Sequence, residues 1–168
     1  MIELSTERLF LVDPFDEDHK KLITDFEKEQ GIQRNISEYL EKIKSSTREE
    51  YKKIKTTTNE INEVLFIESS KQIKDLCFIS GEKDISTCII VFSALKVKPK
   101  VRKLISLATD FAFHTLGMKE VFIRVDINDK NMVENLKDEN FENLGIENGN
   151  FLYLKEYEES KRNQRKIS

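Results

Sequence analysis

The feature of this sequence that could most readily do chemistry is a run of cations between Lys96 and Lys103. The run contains Lys96, Lys98, Lys100, Arg102 and Lys103. Apolar periodicity predicts a helix from Val101, so the run surrounds a helix N-terminus, where each exposed cation opposes the helix dipole by about 0.3–1 kcal/mol. An anion bound among the cations would offset this cost, which makes the run a candidate phosphate-binding site. The alternative is a solvated, lysine-rich loop.

The histidines and cysteines do not indicate a metal site. His19 and His114 fall on separate predicted helices, and neither has a cysteine or carboxylate at the spacing of a ligand set or a catalytic triad. Cys77 and Cys88 lie inside apolar, strand-like runs. A disulfide framework or a zinc site needs more ligands at tighter spacing. We therefore expect two reduced core thiols and no metal.

The composition is that of a globular chain with a highly charged surface. Of the 168 residues, 38% are hydrophobic and 35% are charged, and the formal net charge is -3. This acidic balance argues against a dedicated nucleic-acid binder. The sequence has neither a run of about 18 apolar residues nor a basic, then apolar N-terminus. We expect a cytoplasmic protein without nucleic-acid or membrane partners.

The period of the apolar residues divides the chain into strands and helices. Period-two and apolar runs predict strands at Leu4–Val12, Val64–Glu68, Ile73–Ser80, Ile85–Leu95, Glu120–Val125, Phe141–Ile146 and Phe151–Tyr157. Helical spacing predicts helices after Asp16, from Asn35, after Ser45-Ser46-Thr47, from Val101 towards Gly117, and at Asn131–Glu139. Asn148-Gly149 predicts a hairpin turn.

This order of elements predicts an α+β fold, in which a mixed sheet carries helices on both faces. We expect residues 1–157 to form a single domain, since this length suits one hydrophobic core. The charged segment 158–168 has no apolar periodicity and is expected to be a disordered tail.

Several segments resemble the GNAT acetyltransferase superfamily, and within it the branch of the ribosomal-protein alanine N-acetyltransferases. Thr6–Leu11 resembles the opening strand of that branch. From Leu104 to Gly145 the resemblance runs without a gap. It includes the helix end Asp110-Phe111-Ala112-Phe113 with Leu116-Gly117, the strand Val121–Asp126, and the closing segment Phe141–Gly145. The resemblance implies a GNAT-like, mostly antiparallel central sheet with helices on both faces.

The same resemblance implies acetyl-CoA as the cofactor, held where two parallel strands separate. In the family, a loop of the form Arg/Gln-x-x-Gly-x-Gly/Ala holds the pyrophosphate through backbone N–H groups. Here that loop is Lys96–Val101 and it is degenerate, because Pro99 has no N–H and Val101 crowds the second small position. The side chains of Lys96, Lys98, Lys100 and Arg102 would then replace the missing donors. The backbone of Ser93 and Leu95 would hold the thioester and the pantetheine arm.

The resemblance also suggests weaker candidates for the remaining roles. Asp129 aligns with a family asparagine that touches the pantetheine arm, although it equally suits a helix N-cap. Glu68 is the nearest candidate general base, with a solvated strand-end carboxylate as the alternative. Tyr153 is a candidate general acid, with aromatic packing as the alternative. Ile85–Leu95 lacks the carboxylate, and Asn131–Glu139 the tyrosine, that family members often carry.

Two hypotheses about function follow. The first is an N-acetyltransferase that moves an acetyl group from acetyl-CoA to an amine of a small molecule, a protein N-terminus or a lysine. The second is a catalytically inactive GNAT-fold protein that binds or regulates a partner. The expected assembly is a monomer or a homodimer.

Overall fold

The computed structural model of this chain describes residues 7–30, 34–69, 72–92 and 101–158. The strands are β1 (Glu7–Leu11), β2 (Glu60–Ser69), β3 (Gln72–Glu82), β4 (Thr87–Phe92), β5 (Glu120–Asp126), β6 (Glu142–Glu147) and β7 (Asn150–Glu156). The α-helices are α1 (Glu17–Gln30), α2 (Arg34–Lys44), α3 (Arg48–Thr57), α4 (Val101–Asp110) and α5 (Lys130–Asp138), and a π-helical turn spans Phe111–Thr115. Hydrogen bonding joins the strands in the order β1-β2-β3-β4-β5-β7-β6.

The chain divides into two compact units, and the first comprises residues 1–78 with 92–97. In it β1 and β2 pair in antiparallel fashion, with Leu9 opposite Ile67. Helices α1 and α2 contribute buried apolar residues, among them Ile23, Phe26, Ile36, Leu40 and Ile43. Helix α3 begins at a capping box, in which the Thr47 hydroxyl accepts from the Glu50 N–H at 3.1 Å and Glu50 accepts from the Thr47 N–H.

The second unit comprises residues 79–91 and 98–168. Strand β5 pairs with β7 in antiparallel fashion along its whole length, from Glu120 opposite Glu156 to Asp126 opposite Asn150. Strand β4 runs parallel to β5, and β6 pairs with β7. The core combines one face of these strands with one stripe of the helices, and it contains Leu104, Ile105, Ala108, Ala112, Val121, Ile123, Val125, Leu136 and Tyr153.

The structure confirms the predicted α+β class with a mixed, mostly antiparallel sheet. Among the pairs described residue by residue, three are antiparallel and one is parallel. The predicted break at Ser45-Ser46-Thr47 separates α2 from α3, and Asn148 and Gly149 both have positive φ, as a two-residue hairpin turn requires. None of the described helices is long and apolar enough to cross a membrane.

Some predicted element bounds differ from the structure. Strand β2 begins at Glu60, four residues before Val64, because its pairing continues past the apolar run. The predicted strand Ile85–Leu95 begins instead at Thr87, since residues 83–86 form the turn and Ser86 has a φ of 52°. Its last residues, and the predicted tail from residue 159 onward, lie outside the described ranges.

The helix predicted from Val101 towards Gly117 changes its hydrogen bonding before it ends. After Asp110 it continues as a π-helical turn, in which the Leu116 N–H donates to the Phe111 carbonyl at 3.1 Å. Gly117, with a φ of 71°, then terminates the helix as predicted. Just before this change, Thr109 is 1% exposed, and its hydroxyl has no hydrogen-bond partner among the described residues.

Changing Thr109 to valine should therefore stabilise the protein. Valine keeps the shape and the branched Cβ but removes a buried hydroxyl without a partner, a gain of about 1 kcal/mol in the free energy of unfolding. The matched variant Thr109→Ser keeps the hydroxyl and loses a buried methyl, so it should lower that free energy by about 1 kcal/mol. Urea unfolding of both variants measures the two changes, and a loss of stability in Thr109→Val would show that the hydroxyl has a partner.

Candidate active site

The parallel strands β4 and β5 pair over only part of their length. Three residue pairs join them, Thr87 with Glu120, Cys88 with Val121 and Ile89 with Phe122. Beyond these, β4 continues through Ile90 and Val91, and β5 continues to Asp126. No further pair between the two strands occurs in these described segments, so they separate after Ile89 and Phe122.

This separation leaves an opening with one polar edge. Strand β5 stays fully paired with β7 on its other side, so only the edge that faces β4 lacks a strand partner. Backbone N–H and C=O groups on such an edge can bind an extended ligand that carries amides, as an added strand would. The side chains of Ile90, Ile123 and Val125 are buried next to it, at 1%, 1% and 6% exposure. The opening can therefore hold a chain-like ligand along the backbone edge of β5.

Helix α4 brings Arg102 into the same unit, and the structure shows a partner that the sequence did not reveal. The Arg102 Nε donates to Glu139 Oε1 at 2.8 Å, which ties the first turn of α4 to the C-terminal end of α5. The hydrogen bond and charge of Glu139 raise the pKa of Arg102. The Arg102 side chain remains 61% exposed. An anion at this helix end would compete with Glu139 for the guanidinium.

Asp129 is the N-cap of α5. Its carboxylate accepts from the Met132 N–H at 3.1 Å. The cap follows directly from the end of β5, where Asp126 accepts from the Asn128 N–H at 2.8 Å. Asn131, another polar residue of this region, accepts from the side chain of Asn135. Asp129 thus has the structural role that its position predicted as the alternative, and a contact with a cofactor remains a prediction.

Most of the predicted phosphate and thioester contacts fall on residues 93–100. Ser93, Leu95, Lys96, Lys98 and Lys100 lie outside the described ranges. For Val101 and Glu68 the backbone is described, in α4 and β2, but the side chain is not. Their predicted roles therefore stay predictions.

Tyr153 lies in the core of the second unit. Its side chain is 0% exposed, its ring lies edge-on to Phe151 at 6.1 Å, and its hydroxyl accepts from the Asn143 side-chain amide at 3.4 Å. These contacts favour a packing role for Tyr153.

Cys88, which pairs with Val121 just before the strands separate, has an unreactive thiol. Burial raises the pKa of Cys88 to about 12, so the thiol stays protonated at neutral pH and is a poor nucleophile. Within the described ranges, no group of three or more His, Cys, Asp or Glu side chains is arranged to hold a metal ion.

A cavity of about 310 Å³ adjoins the opening on the sheet face opposite the buried side chains. Its lining includes Ile89 and Phe122, the last paired residues of β4 and β5, together with Leu152 and the exposed Arg124. The alternation in Val121–Val125 could have placed Phe122 and Arg124 on this face, but the sequence did not show that the face is concave. The cavity combines apolar side chains with one cation, Arg124, and one carboxylate, Glu82.

Solved structures with the same fold include several acetyltransferases. The complex of the Campylobacter jejuni N-acetyltransferase PseH with acetyl coenzyme A is 12% identical and has a TM-score of 0.61, with 90% of this chain and 99% of that chain covered. The dodecameric spermidine N-acetyltransferase from Vibrio cholerae is 15% identical, with a TM-score of 0.63 and 95% and 97% covered. Apo FdhC, a nucleotide-linked sugar GNAT, is 16% identical, with a TM-score of 0.62 and 96% and 93% covered.

This chain has the GNAT acetyltransferase fold. The predicted relation to the branch of the ribosomal-protein alanine N-acetyltransferases remains a prediction. Neither a protein-family model nor a curated protein sequence matches the chain.

If Arg102 contributes to phosphate binding, its ion pair with Glu139 should weaken that binding. Glu139→Gln removes the competing charge, and we expect acetyl-CoA to bind roughly 2- to 5-fold more tightly in calorimetry at low salt. Glu134→Gln, also on α5 but exposed, changes the net charge equally and is the control. Weaker binding in Glu139→Gln alone would mean that the pair instead holds α4 and α5 in a binding-competent arrangement.

Proposed function

We propose that this protein is an acetyl-CoA-dependent N-acetyltransferase of the GNAT type. The observation that carries the proposal is the early end of the pairing between β4 and β5. A GNAT-type opening needs two parallel strands that separate, and this chain retains that separation although its loop has changed. The fold shared with the two N-acetyltransferases named above supports the same proposal.

The chain's own residues would divide the work of binding. The free edge of β5 and the backbone of Ser93 and Leu95 would hold the pantetheine arm and the thioester. The side chains of Lys96, Lys98, Lys100 and Arg102 would hold the phosphates, next to Val101 at the start of α4. Cations replace backbone donors here because Pro99 has no N–H to offer. Asp129 would order the turn beside the arm through its cap on α5.

The transfer itself needs little from the protein beyond position and a proton acceptor. A neutral amine attacks the carbonyl carbon of the thioester, a C–N bond forms, the C–S bond breaks and CoA leaves as a thiolate. Glu68 is the proposed base that takes the proton from the attacking nitrogen. Because Tyr153 is buried and bonded to Asn143, the thiolate would receive its proton from another donor.

The cavity beside the opening is the proposed place for the acceptor. Two substrates must meet at one point, and this cavity reaches the last paired residues of β4 and β5. Its lining carries one cation, Arg124, and one carboxylate, Glu82, which suit an acceptor with a negatively charged group in addition to its amine. Similar structures are named for spermidine and for a nucleotide-linked sugar, so both kinds of acceptor belong in the assay.

The second candidate is a GNAT-fold protein that binds a partner without catalysis. The sequence observation that favours it is the loss of both small residues of the phosphate loop, at Pro99 and Val101. This candidate accounts for the intact core and for the missing carboxylate and tyrosine. It is distinguished from the enzyme by turnover rather than by fold.

Titration with acetyl-CoA at low salt tests the proposal. We expect micromolar binding, and the triple variant Lys98→Ala, Lys100→Ala, Arg102→Ala should weaken it roughly 10- to 100-fold, because charge-assisted hydrogen bonds to phosphate are lost. The matched control changes Lys42, Lys52 and Lys53 to alanine, which removes the same charge from exposed positions on α2 and α3.

Turnover is measured by release of the CoA thiol with acidic and basic amines as acceptors. Binding followed by amine-dependent thiol release supports the enzyme. Binding without release from any amine supports the inactive candidate. A folded protein that gives no heat up to millimolar acetyl-CoA contradicts the enzyme. The inactive candidate would then be tested by a search for a protein partner.

A further inference from the structure

The second unit contains another cavity, of about 450 Å³, beside the π-helical turn and the end of β7. Its lining contains three carboxylates, three aromatic rings and one ammonium group. They belong to Asp110, Glu156 and Glu158, to Phe113, His114 and Tyr157, and to Lys155. A volume of this size suits a small organic molecule.

The rings form a fixed wall. The Phe113 and Tyr157 centroids are 5.5 Å apart, and His114 meets Tyr157 edge-on, also at 5.5 Å. The π-helical turn brings the consecutive residues Phe113 and His114 to the same tyrosine. Tyr157 is held in turn by its backbone N–H, which donates to the Lys119 carbonyl at 2.9 Å. Ring faces and edges held in this way can contact a cation without rearrangement.

The carboxylates are available to a ligand. Within the described part of the chain, Asp110, Glu156 and Glu158 take part in no ion pair. The one cation of the lining, Lys155, directs its ammonium towards the ring of Phe141, 5.7 Å from its centroid. The cavity therefore presents more negative than positive charge, which repels anions and attracts cations.

We propose that this cavity binds an organic ammonium ion, such as an alkylated amine. Carboxylates supply the opposite charge, and aromatic rings attract the positive face of an alkylammonium and pack against its methyl or methylene groups. A metal ion would use the carboxylates but gain nothing from the rings. A neutral ligand would gain only the apolar contact.

The cavity is separate from the opening between β4 and β5. Glu156 lies opposite Glu120, the first residue of β5, whereas the opening begins after Phe122 and extends towards Asp126. At about 3.3 Å per residue, the opening lies between roughly 7 Å and roughly 20 Å from Glu120 along β5, and the two cavities share no lining residue. The ammonium site thus stands independently of the proposed acetyl transfer.

Choline and its neutral isostere 3,3-dimethylbutan-1-ol are the probes that separate charge from shape. The quaternary nitrogen of choline cannot accept an acetyl group, and the rings of Phe113 and Tyr157 report on this cavity and not on the one beside the opening. We expect saturable shifts of the Phe113 and Tyr157 ring resonances with choline, at millimolar affinity or tighter, and at least about 10-fold weaker binding of the isostere.

Variants locate the site. Glu156→Gln and Tyr157→Leu should each weaken choline binding at least about 5-fold. Glu147→Gln, an exposed carboxylate on β6, should leave it unchanged. Glu156→Gln is a conservative change that we expect to fold, so it still tests the site if Tyr157→Leu unfolds.

Equal binding of the two probes, no binding up to about 100 mM, or unchanged affinity in Glu156→Gln would overturn the proposal. Binding seen only after removal of residues 159–168 would also overturn it, because cations of the chain itself would then be the occupant.

Discussion

Strand β5 is paired with β7 at every residue but with β4 at only three, and the rest of the second unit depends on this imbalance. Full pairing with β7 fixes β5 against the core, through buried Val121, Ile123 and Val125. The free edge can then stay open without loss of order in the strand. A GNAT fold needs such an opening, and in this chain the pairing provides it even though the phosphate loop lacks its glycines.

The changed loop favours the inactive candidate, whereas the retained opening favours the enzyme. Pro99 has no N–H to donate, but in the sequence Lys96, Lys98 and Lys100 directly precede Arg102. Lysine and arginine side chains can bind phosphate as well as glycine N–H groups do, although their flexibility makes the site less rigid. Glu139, which pairs with Arg102, limits how much of this charge a ligand can use.

Local signals were sufficient to predict the elements but not the details of the site. The break before α3, the Asn148-Gly149 turn and the end of the helix at Gly117 all follow from residue types at fixed positions. The pair of Arg102 with Glu139 joins residues 37 apart in sequence, and the end of β4–β5 pairing depends on how two distant strands pack. Neither has a local sequence signal. The π-helical turn also depends on its surroundings, since nothing in Phe111–Thr115 distinguishes it from an α-helical turn.

Backbone amide chemical shifts during an acetyl-CoA titration test directly whether acetyl-CoA binds where β4 and β5 separate. We expect the largest changes at Ile90, Val91 and Ile123–Val125, with little change at Glu142–Glu147 on β6. Binding that leaves the amides of Ile123–Val125 unchanged and shifts only exposed lysine-rich segments would contradict it. In that case the separation of β4 and β5 would be a feature of the fold without a role in binding.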